Sequence, residues 1–274
     1  MEEFAGKVAV VTGAASGIGR ALSQRLAALD MSVVMADVEG GALEEAAGAL
    51  AAAGHAVLPV QTDVSQADSV SALAEQAVEA FGTVHVLCNN AGVFAAGLSW
   101  EAPQSDYDWV FGVNVWGVVH CTNAVGAQML ERGSGAIVNI TSNSALEPSA
   151  GNMVANYAGT KGYVMSMSKA LAYEWGPKGV RINCVSPGWI VPYEEDHVGA
   201  GSFWRKYGYE FFGTPEQMAA AAEGEGDLFN VEGQPIRRIG RPEDIADVAL
   251  FLASDRAKHL TGQMISVSGG AYMP

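Results

Sequence analysis

A tyrosine and a lysine stand four residues apart, Tyr157 and Lys161, in the run N-Y-A-G-T-K-G. On a helix this spacing sets both side chains on one face. An ammonium placed there lowers a phenol's pKa from its ordinary value of about 10. A phenol made more acidic can take a proton from an alcohol, or return one to a ketone, near neutral pH. The same spacing also suits a core tyrosine beside a solvated lysine, so the rest of the chain decides between them. Ser142 follows an apolar run ending in I-T, and Ser144 is close behind. A hydroxyl there can hold a substrate oxygen, or simply face water. Asn114 lies among Val113, Val115 and Trp116 in a run of helical spacing, where asparagine is a poor helix former. Either it hydrogen-bonds a neighbouring backbone, or it orders a water that passes protons onward from the lysine.

These side chains need a scaffold, and the first half of the chain predicts one. Lys7 to Thr12 is a valine-rich run suited to a strand buried on both faces. The turn T-G-A-A-S-G-I-G and an amphipathic run follow at once. Strand, glycine turn and helix make a phosphate cradle: Gly13, Gly17 and Gly19 let backbone N–H groups approach a pyrophosphate at the helix N-terminus. A second strand, 32–36, ends at Asp37, which lies 24 residues after Gly13. A carboxylate there accepts the ribose hydroxyls of NAD; the alternative is a helix N-cap. With no cation beside it to meet a 2′-phosphate, NAD is favoured over NADP. The third strand, 55–61, is followed by Asp63, which caps the next helix (67–81), touches an adenine, or does both. A fourth strand, 84–89, runs into N-N-A-G, a close approach to a cofactor or a plain turn. A helix over 106–131, a strand at 135–140, the tyrosine helix to about 176, and a strand at 180–185 ending in S-P-G complete the middle.

The chain has 274 residues, 33 glycines and a hydrophobic fraction of 49%. That fits a compact α/β enzyme and excludes a disordered or fibrous chain. A net charge of −15 without a basic stripe argues against nucleic acid. Cys88, Cys121 and Cys184 are scattered and the five histidines isolated. Free thiols in a reducing, cytoplasmic compartment and no metal site are expected. The acidic start M-E-E-F-A-G-K does not read as a signal peptide, and no apolar run is long enough to span a bilayer.

Taken together the chain resembles a classical short-chain dehydrogenase/reductase over about residues 5 to 270. T-G-A-A-S-G-I-G, D-V after the third strand, N-N-A-G, the helical Asn114, I-T-S, Y-x-x-x-K and S-P-G occur in that family's order and spacing. The resemblance implies one domain, 1–274: a doubly wound (Rossmann) α/β fold with a parallel seven-stranded sheet and helices on both faces. It implies that Tyr157 is the general acid/base, that Lys161 lowers its pKa and holds the nicotinamide ribose, that Ser142 orients the substrate oxygen, and that Asn114 completes a proton relay. Gly13, Ser16, Ile18, Asp37, Asp63, Val64, Asn90 and Pro187 match cofactor-contacting positions; Gly17, Gly19, Ala91, Gly92, Gly188 and Ile190 complete the expected NAD cradle. The gap from Ser142 to Tyr157 is 15 residues, about two longer than usual in the family, and Ser144 would restore 13. Ser144 therefore stands as the second candidate. Where relatives often carry a hydroxyl a few residues past P-G, this chain has Val191 and Pro192, which leaves the nicotinamide amide to backbone groups.

The segment at about 193–234 is the part such chains vary. Phe203, Trp204 and Tyr207, with Trp189 before them, either wall a pocket for a bulky apolar ketone or alcohol, or pack the segment and its subunit contacts. Proline at 242 opens a last helix, and 263–267 a last strand. The resemblance implies a homotetramer whose dimer surfaces are helix faces of 106–131 and 157–175. The expected reaction is hydride transfer between NAD(H) and a secondary alcohol or ketone. The alternatives are a 3-oxoacyl thioester reductase of the same family, and a protein that binds NAD without turnover.

Overall fold

The computed structural model of the chain describes residues 2–95, 97–147, 154–191, 215–225, 231 and 233–273. Short, β-branched runs form the strands: β1 Val8–Thr12, β2 Ser32–Asp37, β3 Val57–Gln61, β4 Val86–Asn89, β5 Gly135–Ile140, β6 Val180–Pro187 and β7 Met264–Val267. They pair in the order β3-β2-β1-β4-β5-β6-β7, every pair parallel. The helices between them are α1 Gly17–Ala27, α2 Gly40–Ala52, α3 Ala67–Phe81, α4 Gln104–Phe111, α5 Gly117–Arg132 and α6 Ala155–Trp175. Two more, α7 Pro215–Ala222 and α8 Pro242–Ala253, follow β6.

Alternation along β1 divides the core in two. Ala9 and Val11 face a cluster with Leu22 and Leu26 of α1, Leu43 of α2 and Ile245 of α8. Val8 and Val10 face the other cluster, with Leu73 of α3, Val125 and Met129 of α5 and Trp175 of α6. A sheet buried on both faces has no polar side, which is why its strands read as unbroken apolar runs. The expected doubly wound, seven-stranded parallel sheet is what the chain forms. Its order reverses between β1 and β4, and ligands bind outside the strands' carboxyl ends at such a point.

One element departs from expectation. The predicted helix over 106–131 is interrupted: Gly112–Trp116 forms a π-helical turn between α4 and α5, with Asn114 at its centre. Glycines bound the turn, and a Cβ on Gly117 would come within 2.7 Å of Val64 Cγ2. π-turns of this kind cluster at functional sites. The last strand residues of β6, Ser186 and Pro187, extend beyond the predicted end at 185 because they pair with β7.

Candidate active site

The glycine turn joins β1 to α1 at the reversal point. Its shape is fixed by side chains on both flanks. Thr12 Oγ1 accepts from the backbone N–H groups of Asn90 and Ala91, 3.0 Å each. The Asn90 amide donates back to the Thr12 and Gly13 carbonyls at 2.9 and 3.2 Å. β1 and β4 are thus latched together at their carboxyl ends. Asp37 Oδ2 accepts from Ala15 N at 2.9 Å, and Oδ1 from Glu39 N at 3.1 Å. The aspartate therefore braces the turn and is not the side-chain cap of α2, whose N-cap is Glu39.

The turn's backbone comes close to itself. A Cβ on Gly19 would sit 1.9 Å from the Gly13 carbonyl oxygen, whereas at Gly17, with φ of +50°, nothing lies within 4 Å. Ser16 precedes α1 in extended conformation without a side-chain capping bond, and no acid stands in the first helical turn. A bare helix N-terminus behind a glycine turn, with a carboxylate on the neighbouring strand end, fits the pyrophosphate and ribose of a dinucleotide.

The second group of residues meets at the carboxyl ends of β4 and β5. Asn114 is fully buried. Its Nδ2 donates to the Val93 carbonyl (2.8 Å) and to Thr160 Oγ1 (3.1 Å), and its Oδ1 accepts from Val93 N (2.8 Å). The backbone bonds foreseen as the plain reason for Asn114 are therefore present. Thr160 Oγ1 donates to the Tyr157 carbonyl at 2.7 Å, so one threonine joins the π-turn to the tyrosine helix. A Cβ on Gly92 would come within 3.2 Å of Lys161 Nζ and 3.5 Å of Asn114 Oδ1, so this glycine keeps the approach to both open.

Lys161 Nζ donates to the Ile140 carbonyl at the end of β5, 2.9 Å away, and lies 5.6 Å from the Tyr157 ring centre. Burial pulls the amine down to about 8, with the neighbouring Cys184 thiol working weakly the other way. Burial holds the Tyr157 phenol above its ordinary value, and the nearby Ser142 hydroxyl opposes that rise. Ser142 opens a short 3-10 turn, Asn143–Ala145, and its hydroxyl accepts from Ser144 N (3.2 Å) and Ser144 Oγ (2.9 Å). Of the two candidate serines, Ser142 is the one whose hydroxyl opposes the rise in the phenol's pKa.

The remaining expected residues distribute as follows. Asp63 Oδ1 accepts from Ser65 N and Oγ at 2.9 and 2.7 Å. It shapes the connection and does not cap α3, whose N-cap is Gln66; its side chain prefers the nearer donors. Val64 is buried against α5, and its carbonyl meets His120 Nδ1 at 3.1 Å. Ile18 packs on the core. Pro187 ends β6, Gly188 donates to the Val267 carbonyl at 3.0 Å, and Trp189 and Val191 bond the backbone of Gly240, beside which Ile190 forms an isolated bridge. Val191 is 1% exposed. Phe203, Trp204 and Tyr207 lie outside the described residues, as does Pro192.

Sequence reasoning missed four residues. Thr12 and Thr160 were hidden inside the motifs T-G-A-A-S-G-I-G and Y-x-x-x-K, which draw attention to glycines and charges. Phe94 faces Tyr157 with ring centres 5.8 Å apart; only its place just after N-N-A-G hinted at this. Asn143, between the two serines, accepts from Ser186 Oγ (2.9 Å) and Ser266 Oγ (3.2 Å), contacts that depend on β6 and β7 being neighbours. Among the described residues, no group of three histidines, cysteines or acids could hold a metal, and no helix is long and apolar enough to cross a membrane.

Residues 7–194 match the family model described as short chain dehydrogenase, and 210–272 match one described as enoyl-(acyl carrier protein) reductase. The chain is 39% identical to an uncharacterized oxidoreductase of Methylorubrum extorquens over 274 residues, covering 98% of this chain and 99% of that one. It is 36% identical to the 3-oxoacyl-[acyl-carrier-protein] reductase FabG of Staphylococcus epidermidis, covering 97% and 99%. A solved structure of NAD+-bound xylitol dehydrogenase superposes with a TM-score of 0.84 at 29% identity, covering 98% of this chain and all of that one. With the sheet order, the braced glycine turn and the tyrosine–lysine helix already in place, these likenesses identify the chain as a member of the short-chain dehydrogenase/reductase family of oxidoreductases.

Proposed function

We propose that the chain is an NAD-dependent dehydrogenase interconverting a secondary alcohol and a ketone, with Tyr157 as general acid/base. The observation that carries the reading is the convergence of the half-buried Tyr157 phenol, the Ser142 hydroxyl and the Lys161 amine within one site. When bound, the dinucleotide supplies the hydride acceptor or donor. The residues that would hold it are the glycine turn, Asp37, Asn90 and Lys161. In the oxidative direction the ionised Tyr157 oxygen takes the proton of the substrate hydroxyl as the carbonyl forms. Ser142 donates to that same oxygen and holds it at the phenol. In reduction the phenol returns its proton to the alkoxide-like oxygen, and the two hydroxyls stabilise the developing charge. Lys161, with a pKa of about 8, is mainly an ammonium at neutral pH and adds positive charge beside the ring.

Asp37 supports NAD over NADP, since its carboxylate stands at the turn where a 2′-phosphate would bring like charge. The NAD+-bound xylitol dehydrogenase is consistent with that choice. The likeness to a 3-oxoacyl-[acyl-carrier-protein] reductase favours a second reading, reduction of a 3-oxoacyl thioester. Phe94 beside Tyr157 supports an apolar substrate. We extend the reading to a homotetramer, supported by Trp109, Trp116, Tyr163 and Tyr173, which stand 45 to 89% exposed on α4, the π-turn and α6; large exposed rings mark contact surfaces.

Tyr157→Phe tests the assignment. Turnover of alcohols should fall at least about a hundredfold, the usual worth of a positioned acid/base, while NAD binding by calorimetry stays near that of the unaltered chain. Undiminished turnover would remove Tyr157 from the mechanism.

A further inference from the structure

The two serines that competed for one role sit in hydrogen-bond contact. Ser144 gives both its backbone N–H and its hydroxyl to Ser142 Oγ, at 3.2 and 2.9 Å. A serine hydroxyl has two lone pairs and one proton. With both lone pairs taken by Ser144, the only remaining capacity of Ser142 is to donate. The group it then faces is the Tyr157 phenol, whose pKa the Ser142 hydroxyl lowers. We propose that Ser144 is a positioning residue that fixes Ser142 as a hydrogen-bond donor toward the reacting oxygen, forming a chain Ser144 O–H to Ser142 O–H to the phenol or substrate oxygen. This deepens the reading of Tyr157 and Ser142 given above and rests on it.

The direction matters chemically. A free serine rotor can as easily accept from a neutral phenol as donate to an ionised one. Held from behind by two donors, it favours the anionic state of its partner. Hydrogen bonds in series also polarise one another, so the second hydroxyl strengthens the bond the first one makes. The 3-10 turn Asn143–Ala145 sets this geometry. It is pinned by Asn143, whose side chain accepts from Ser186 on β6 and Ser266 beside it on β7. Ser144 can therefore act without touching substrate.

Other titratable groups near the phenol are few among the described residues. Lys161 shares its helix, 5.6 Å from the ring centre. Behind Lys161 stands the Cys184 thiol of β6, pushed up to about 11 by burial and therefore neutral through the working range. Phe94 faces the ring without charge.

The test compares Ser144→Ala and Ser144→Thr with the unaltered chain, each saturated with NAD. The ionisation of Tyr157 is followed by ultraviolet difference absorbance, with Tyr157→Phe subtracted to isolate that phenol among the other tyrosines. The pH dependence of kcat for alcohol oxidation is read in parallel. Losing one hydrogen bond of ordinary strength corresponds to a roughly three- to tenfold fall in kcat. It also corresponds to an upward move of about half to one pH unit in the phenol titration and in the acidic limb of kcat. Ser144→Thr keeps a hydroxyl and should behave like the unaltered chain, with the KM for NAD constant throughout. A phenol titration and acidic limb unmoved in Ser144→Ala would overturn the proposal while leaving Tyr157 in place. Turnover surviving in Tyr157→Phe would overturn the mechanism itself, and the absorbance titration would still decide the role of Ser144.

Discussion

An amine on a side chain only 4% exposed is a costly thing to keep charged. The drop in the Lys161 pKa from 10.5 to about 8 corresponds to about 3 kcal/mol of lost stability at neutral pH. Its bond to the Ile140 carbonyl, worth about 1 kcal/mol, would go with it. Lys161→Met is therefore expected to stabilise the fold by about 2 kcal/mol at pH 7 while abolishing turnover, the usual exchange of stability for function. The sign follows from linkage. Below about pH 8 both folded and unfolded chains hold the proton and the cost is complete; it fades as pH rises toward 10.5 and is gone above that, where both are neutral. Urea midpoints at pH 7 and near pH 10.5 should show the variant's advantage at the first and not at the second. Equal midpoints at pH 7 would contradict the burial argument. Asp37 carries two duties on one carboxylate, since it also braces Ala15 and Glu39. Asp37→Ala should cut the ratio of kcat/KM for NAD over NADP by tenfold or more, and lower stability by about 1–3 kcal/mol. An unchanged ratio would place the discrimination elsewhere.

At the scale of elements, the site is a product of strand ends. β1, β4 and β5 deliver Thr12, Asn90, Ile140 and Ser142 to one edge because parallel strands all end on the same side. The glycine turn tolerates no side chain at its tightest point: Gly19→Ala would press a methyl against the Gly13 carbonyl, 1.9 Å from it. Weakening of NAD binding by at least about tenfold is expected, with the circular dichroism of the fold retained, and calorimetry reads it. Most of these elements were legible beforehand. Apolar runs of four to eight residues and helical spacing between them dictate a parallel sheet, and the strands and α3 fell where the patterns put them. The π-turn at Gly112–Trp116 was not legible. It arises from Val64 pressing on Gly117 and from Asn114 bonding Val93, contacts between segments about 20 to 50 residues apart. Periodicity within one segment cannot report them.

At the scale of the whole molecule, the nucleotide half of the site could be read more fully than the substrate half. Glycines and acids act through local backbone geometry, which sequence records directly. Ser142, Ser144 and Phe94 owe their meaning to the meeting of β4, β5 and α6, which sequence records only as spacing; that is why spacing alone leaves two serines in contention. The rise that burial gives the Tyr157 phenol is likewise a property of the assembled molecule. The most direct measurement is NADH formation from NAD across secondary alcohols, from small aliphatic to bulky aryl and alicyclic, with Tyr157→Phe alongside. The account predicts turnover with bulky alcohols that is lost in the variant. Turnover confined to NADPH and 3-oxoacyl thioesters, or equal rates with and without the phenol, would contradict it.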